Sequence, residues 1–173
     1  MKIRLAAPCN IDSIVDGPGL RMVVWTQGCP HHCPFCHNPQ THDPKGGFEE
    51  DVEKVIAKMN ELQLHSGITF SGGEPFDQPT PLMEIAEAAK EKKLNIWAYS
   101  GYLYEDILKD EEKRKLLEKV DVLVDGRFEN NLKHHALKFK GSLNQRIIDV
   151  QKSLRENQLI LSRYDEENQK LKG

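Results

Sequence analysis

Three of the four cysteines in the chain fall within one short run, Gly28-Cys29-Pro30-His31-His32-Cys33-Pro34-Phe35-Cys36-His37-Asn38-Pro39. The spacing is Cys-x3-Cys-x2-Cys. Thiolates this close together can converge on one soft metal centre, which favours zinc or an iron–sulfur cluster. Pro30 and Pro34 each follow a cysteine directly. They fix φ and remove a backbone donor, so the run reads as a rigid ligand loop and not as a helix. It follows Met22-Val23-Val24-Trp25-Thr26, a short apolar run with the pattern of a buried strand. Any fold for this chain has to carry a ligand loop at the C-terminal end of that strand.

Several occupants fit these residues. A 4Fe–4S cluster normally takes four cysteines, one per iron. Three ligands leave one position open, and open positions are where metal sites do chemistry. Zinc could take Cys29, Cys33, Cys36 and one of His31, His32 and His37. Zinc sites usually pair two knuckles far apart in sequence, and the chain has no second knuckle. Cys33-x-x-Cys36-His37 has the spacing of a c-type haem attachment, a chemistry that normally needs export. A cluster used only for electron transfer would more often have a fourth cysteine nearby. Cys9 is the only other cysteine and lies before a predicted turn, so it is read as a free thiol.

The rest of the chain alternates strand and helix patterns. Asp16-Gly17-Pro18-Gly19 is a turn signal ahead of the first strand. Val52, Val55, Ile56 and Met59 share one helical face and predict a helix over 48–62. Gly67-Ile68-Thr69-Phe70 predicts a second strand, followed by Ser71-Gly72-Gly73-Glu74-Pro75. Thr80 is expected to cap the next helix, with Pro81 at its first position. Leu94 to Tyr99 predicts a third strand, ending at Ser100-Gly101. The stretch 102–119 predicts one broken helix or two short ones. Strands follow at Val120 to Val124, ending at Asp125, and at Arg146 to Val150. Leu159 to Leu161 is a sixth strand or part of a terminal helix, and the polar tail from about residue 162 is expected to fray.

Strands alternating with helices imply an α/β fold with mostly parallel strands. In βα barrels the site lies at the C-terminal strand ends. The cysteine loop, Ser71–Glu74, Ser100 and Asp125 all fall there. A closed eight-fold barrel takes ~250 residues. The 173 residues of this chain therefore predict a single domain over 1–173 built as an open partial (β/α) barrel. The net charge of −3 makes no field that would draw nucleic acid. No run approaches the ~20 apolar residues of a membrane span, and Met1 to Pro8 holds no apolar leader core. Clustered cysteines without an export signal predict a reducing compartment, the cytoplasm, and a metal in place of disulfides.

Gly72 and Gly73 lack side chains and so let a ligand approach the backbone. Glu74 offers a carboxylate suited to an ammonium group. The cysteine run resembles the radical S-adenosylmethionine (SAM) superfamily, whose signature is Cys-x3-Cys-x-aromatic-Cys, with Phe35 at the aromatic position. Gly72-Gly73-Glu74 resembles the element of that superfamily that binds the amino end of the methionine moiety. The resemblance implies a partial barrel of the radical SAM type, with a 4Fe–4S cluster on Cys29, Cys33 and Cys36. It implies SAM on the open iron and reductive cleavage to methionine and a 5′-deoxyadenosyl radical. Phe35, Cys36 and His37 would lie beside the adenine. Ser100 would bond a ribose hydroxyl or the carboxylate, or simply end its strand, and Asp125 would share the pocket. The electron would come from a donor such as flavodoxin or ferredoxin.

Val15-Asp16-Gly17-Pro18-Gly19-Leu20-Arg21 resembles the glycyl-radical activating enzymes, in which this loop lies near the incoming glycine segment of the substrate protein. Val122 to Phe128 and Lys140 to Arg146 resemble the branch that acts on anaerobic ribonucleoside-triphosphate reductase. The likeness runs from about residue 11 to Leu154. It implies that a hydrogen is taken from one backbone glycine of that reductase. Three alternatives remain: another glycyl-radical enzyme such as pyruvate formate-lyase as target, radical chemistry on a small heterocycle, and a non-catalytic zinc or iron–sulfur module. The basic run of Lys133, His134, His135, Lys138, Lys140 and Arg146 is expected to face either the reductase or solvent.

Overall fold

The computed structural model describes residues 1–169. In chain order the elements are β1 (Lys2–Leu5), β2 (Asn10–Ser13), β3 (Arg21–Thr26), β4 (Phe48–Asp51), α1 (Val52–Asn60), β5 (Gly67–Gly72), α2 (Pro79–Glu91), β6 (Asn95–Ser100), α3 (Tyr104–Lys109), α4 (Glu111–Leu117), β7 (Val122–Asp125), β8 (Arg146–Asp149), α5 (Val150–Glu156) and α6 (Arg163–Gln169). The sheet order is β4-β1-β3-β5-β6-β7-β8, with β2 also paired to β3. Among the described residues no helix is long and apolar enough to cross a membrane.

The expected parallel arrangement holds in the centre, where β3, β5, β6 and β7 run the same way. Crossover helices make this possible: α2 joins β5 to β6, and α3 with α4 joins β6 to β7. The flanks are antiparallel. β1 pairs with β3 and β4, β2 with β3, and β8 with β7. The connection from β7 to β8 carries only one 3-10 turn, Asn130–Leu132, and no crossover helix, so the chain returns antiparallel. The order is open, running from β4 at one edge to β8 at the other.

Side chains alternate across the strands, and each face has its own task. Met22, Val24, Ile68, Phe70, Ile96, Ala98 and Leu123 point to the helix layer, where Val55, Met59, Leu82, Ile85, Leu116 and Leu117 complete one large core. On the other face, Trp97, Val124 and Ile147 form a smaller cluster with Tyr99, Phe139 and Tyr164. Arg21 is fully buried. Its Nε donates to Thr69 Oγ1 at 2.9 Å and its Nη1 to Pro18 O at 3.0 Å. Its Nη2 serves Ile68 O, Asn95 O and Asn95 Oδ1 at 2.8–3.0 Å. The guanidinium also lies 5.7 Å from the Trp97 ring centre. Arg21, Gly67 and Asn95 are in register, so one side chain staples the N-terminal ends of three parallel strands. Burial pushes its pKa down to about 10.

Local expectations are corrected at the start of α1, at the start of α2 and in the tail, and the alternatives left for 102–119 are resolved. The helix predicted from Phe48 begins at Val52, because Phe48 to Asp51 pair with β1 as β4. The apolar periodicity itself starts only at Val52. Thr80 does not cap α2, which begins at Pro79. Gln78 precedes it, and its side chain bonds the backbone N and O of Arg4 and the Gln27 carbonyl instead of the helix. The segment 102–119 is two helices, parted at Asp110, whose carboxylate caps α4 by accepting from Lys113 N. The tail does not fray over residues 162–169. Ser162 N donates to Ile147 O at 2.8 Å, and α6 follows with Asp165 buried. Residues 170–173 lie outside the described range. Leu161 makes a single antiparallel bridge to Ile148, neither a full strand nor a helix.

Replacing Arg21 with Met removes every one of its bonds while keeping much of its length. Stability should fall by about 3 kcal/mol or more, because buried carbonyls lose their donor. The urea midpoint reads this loss; a change under about 0.5 kcal/mol would show the staple to be redundant.

Candidate active site

The ligand loop leaves β3 through Gln27 and Gly28 and closes in the 3-10 turn Pro39–Thr41. Its base is stitched shut. Gly28 N donates to Thr41 O at 2.7 Å and Cys29 N to His42 O at 3.1 Å. Gln27 Nε2 bonds the carbonyls of Gln40 and Asp43 at 3.1 and 2.8 Å. Within the loop, His32 and Phe35 take left-handed backbone angles, φ 49° and 60°. Such angles are uncommon outside glycine. Here one lies between Cys29 and Cys33 and the other between Cys33 and Cys36, so the chain turns between successive thiols.

All three cysteines are half-buried. They line one cavity of about 420 Å³ together with Ser71, Gly72, Gly73, Ser100 and residues 126–128. The cavity is bounded by residues at the C-terminal ends of β5 and β6 and just beyond those of β3 and β7. A larger cavity of about 800 Å³ lies along the loop, but it reaches only Cys29 of the three thiols and neither glycine. The smaller one gathers all three thiols with both glycines. Among the described residues no three His, Cys, Asp or Glu side chains gather closely enough to hold one metal ion. A single zinc ion needs four ligands at about 2.0–2.3 Å, whereas a cluster takes one thiolate per iron at separate corners. Thiols spread around a shared cavity match the cluster. Burial pushes the Cys29 thiol up to about 11. A metal-bound thiol is deprotonated, so binding a cluster there displaces that proton.

Glu74, read from the sequence as a carboxylate suited to an ammonium group, is fully buried. Its oxygens accept from His31 Nε2 at 2.6 Å, Gly101 N at 2.8 Å, Phe76 N at 3.0 Å and Ser100 Oγ at 2.9–3.0 Å. A carboxylate has about four lone-pair sites, so these donors fill it. An ammonium group would have to displace one of them. His31, weighed above as a zinc ligand, is a buried anchor that ties the ligand loop to the ends of β5 and β6. Its ring meets Tyr102 edge-on at 4.5 Å, and a Cβ on Gly101 would come within 2.4 Å of it.

The two glycines also serve the chain itself. Gly72 has φ +102°, and a Cβ there would come within 2.4 Å of Thr26 O. A Cβ on Gly73 would come within 2.4 Å of Gly28 O, at the base of the ligand loop. The close approach is therefore one of backbone to backbone, beside the cavity.

The other expected residues divide. Ser100 lines the cavity while its hydroxyl is engaged by Glu74 and Tyr102 N. His37 lines it too, 4.9 Å from the Phe128 ring. Phe35 is 76 % exposed and is not part of the cavity wall. Asp125 is fully buried and is not part of the wall either. It accepts from Tyr104 N at 2.8 Å and from Arg146 Nε at 3.0 Å. Arg146 continues to Glu105 at 2.8–3.0 Å. Hydrogen bonds to Asp125 and Glu105 hold its guanidinium above the ordinary arginine value, and Arg146 in turn lowers Glu105. Asp125 thus clamps the end of β7, and residues 126–128 after it reach the cavity. Two members of the basic run are held in ion pairs: half-buried Arg146 with Asp125, and buried Lys140 with Asp165. These partnerships join residues far apart in sequence, and no local pattern marks them. Cys9 lies elsewhere, buried, with its thiol pushed up to about 11 by burial.

Gly73→Ala should cost about 1–3 kcal/mol through overpacking and lower the iron bound per chain after anaerobic reconstitution; unchanged iron content would show that the loop base yields freely. Cys9 should react with iodoacetamide at pH 8 roughly 100-fold more slowly than an ordinary cysteine, because little thiolate is present. Its rate should climb as pH rises towards about 11, which alkylation followed by peptide mass spectrometry can read.

Comparison with known proteins agrees with this geometry. The family described as "4Fe-4S single cluster domain" matches residues 15–148. That span takes in the ligand loop, the Gly72-Gly73-Glu74 turn and the β7–β8 connection, and it supports an iron–sulfur cluster in this chain. The anaerobic ribonucleoside-triphosphate reductase-activating protein of Salmonella typhimurium is 36% identical over 141 residues, covering 76% of this chain and 90% of the relative. The protein of the same description from Enterobacteria phage T4 is 34% identical over 147 residues, 81% of this chain and 88% of its own. A pyruvate formate-lyase-activating enzyme from Clostridium pasteurianum is 41% identical over 105 residues, but these make up 56% of this chain and 44% of that enzyme. The chain belongs to the family of anaerobic ribonucleoside-triphosphate reductase-activating proteins.

Proposed function

We propose that the chain is a radical SAM activating enzyme that places a glycyl radical on an anaerobic ribonucleoside-triphosphate reductase. The observation that carries this reading is the convergence of Cys29, Cys33 and Cys36 with Gly72, Gly73 and Ser100 on one cavity at the C-terminal strand ends. Cys29, Cys33 and Cys36 would hold a 4Fe–4S cluster, and three thiolates leave one iron for SAM. The chemistry that a reduced cluster supplies there is one-electron cleavage of the C5′–S bond of SAM, giving methionine and a 5′-deoxyadenosyl radical. Transfer of a hydrogen atom from a backbone glycine of the reductase leaves the glycyl radical on that partner and 5′-deoxyadenosine in the cavity.

The chain's own residues make such a reaction selective. The bonds at the loop base keep the thiols in place beside Gly72 and Gly73. Glu74, through His31 and Ser100, locks the loop to two strand ends, and Ser100 and His37 form wall beside the thiols. A primary carbon radical reacts with whatever is held nearest, so a fixed wall decides the target. Val15 and Asp16 also line the cavity, and Val15 is 71 % exposed. This rim gives a peptide segment a way in from the surface. A small donor such as flavodoxin or ferredoxin would reduce the cluster in the cytoplasm. The likeness to a pyruvate formate-lyase-activating enzyme favours a second reading, in which another glycyl-radical enzyme is the target.

Cys29→Ala, Cys33→Ala and Cys36→Ala should each abolish cluster absorbance and 5′-deoxyadenosine formation, while Cys9→Ala leaves both intact. Reductive SAM cleavage by the Cys33→Ala protein under dithionite would falsify the ligand assignment. Electron paramagnetic resonance on the purified reductase should show a glycyl radical after incubation with the activated chain and SAM. A radical on pyruvate formate-lyase and none on the reductase would establish the second reading.

A further inference from the structure

We propose that α6 is a working part of the ligand cavity, with Asp165 as a positioning residue that holds Lys140 and the wall around it in place for SAM. The inference rests on the SAM reading of the cavity given above. The wall comes from the long β7–β8 connection. Leu137, Phe139, Lys140, Gly141 and Gln145 line the same cavity as the three thiols. The connection has little regular structure of its own, only the turn Asn130–Leu132. Phe139 has φ 66°, a left-handed conformation that a bulky residue keeps only where its surroundings impose it.

What imposes it comes largely from α6. The Lys140 side chain is buried, and its Nζ donates to Asp165 Oδ1 at 2.8 Å and to Gln145 O at 2.8 Å. The second oxygen of Asp165 accepts from Ile147 N at 2.9 Å. One carboxylate therefore joins α6, the cavity wall and β8. Asn168 is 2 % exposed and closes around Lys138. Its Nδ2 donates to Lys138 O at 2.9 Å, and its Oδ1 accepts from Lys138 N at 3.1 Å. Tyr164 packs on Phe139 at 5.7 Å and on Trp97 at 5.5 Å, and Tyr99 Oη donates to Phe139 O at 2.7 Å. Three consecutive residues, Lys138 and the wall residues Phe139 and Lys140, are thus held by three side chains of one helix. That helix lies beyond residue 148, where the match to the cluster family ends. A buried lysine deprived of its carboxylate is an uncompensated charge and must move or neutralise, so the wall cannot keep its place without Asp165.

The test compares the parent with Asp165→Asn, which keeps the size and removes the charge, and Asp165→Glu, which keeps the charge. Each is reconstituted to equal iron content. Asp165→Asn should bind SAM about tenfold more weakly by equilibrium dialysis, with KM for SAM raised and kcat little changed. Asp165→Glu should recover part of the affinity. Amide hydrogen exchange over 137–145, which needs neither cluster nor SAM, should be faster in Asp165→Asn. Affinity within about twofold of the parent despite faster exchange would make α6 a stabilising clasp only and overturn the proposal; unchanged exchange would overturn it too. If Asp165→Asn does not fold, Asn168→Ala takes its place with the same readouts. If the fully loaded parent itself fails to bind SAM, the cavity reading falls, and the exchange data alone then decide whether α6 holds the wall.

Discussion

Glu74 lies out of contact with solvent where the ligand loop, the end of β5 and the end of β6 meet. A carboxylate in such a place is costly to bury unless every lone pair is met. His31 of the ligand loop, Ser100 and Gly101 N at the end of β6 and Phe76 N after β5 meet them. The low local dielectric strengthens each bond. Moving the loop would therefore mean exposing or orphaning a charge. The thiols of Cys29, Cys33 and Cys36 inherit their position from a residue that is not itself a wall of their cavity. Gly73 makes the junction tight, because the loop base passes where its Cβ would be.

The sheet repeats this device at both ends of its strands. At the N-terminal ends, Arg21 ties β3, β5 and β6 through carbonyl and side-chain oxygens. At the C-terminal end of β7, Asp125, Arg146 and Glu105 form a chain that fixes where the cavity-lining residues 126–128 begin. Asp165 with Lys140 does the same for the far side of the cavity. These charged groups are thus structural members held in hydrogen-bonded pairs and networks. The apolar face carries the bulk of the burial and the helices, and leaves the site face free to be polar.

Much of this was legible in the residues. The β3, β5, β6 and β7 segments show themselves by apolar runs, and the α1 and α2 stripes by their spacing, since these patterns reflect burial on one face of an element. The cysteine loop and the Gly72-Gly73-Glu74 turn are contiguous motifs, and Gly72 and Gly73 line one cavity with the three thiols. The short strands β1, β2 and β4 were not legible. Lys2–Leu5, Asn10–Ser13 and Phe48–Asp51 are four residues each and carry polar or charged residues in place of an apolar run. The internal partners of Glu74 and Asp125 were not legible either. A carboxylate at a strand end looks available for a ligand until its donors are seen, and those donors lie up to 43 residues away for His31 and Glu74.

The amino-acid sequence by itself determined that three thiols share one loop after a buried strand, that strands and helices alternate through the middle of the chain, and that small and acidic residues recur at strand ends. These are local properties, set by spacing, backbone restriction and burial pattern. Only the tertiary structure decided which polar groups are spent on one another: His31 on Glu74, Arg146 on Asp125, Lys140 on Asp165. It also decided that β8 returns antiparallel and that the terminal helix backs the cavity wall. Such pairings depend on distance in space after folding, and a hydrogen bond carries no mark in the sequence of either partner.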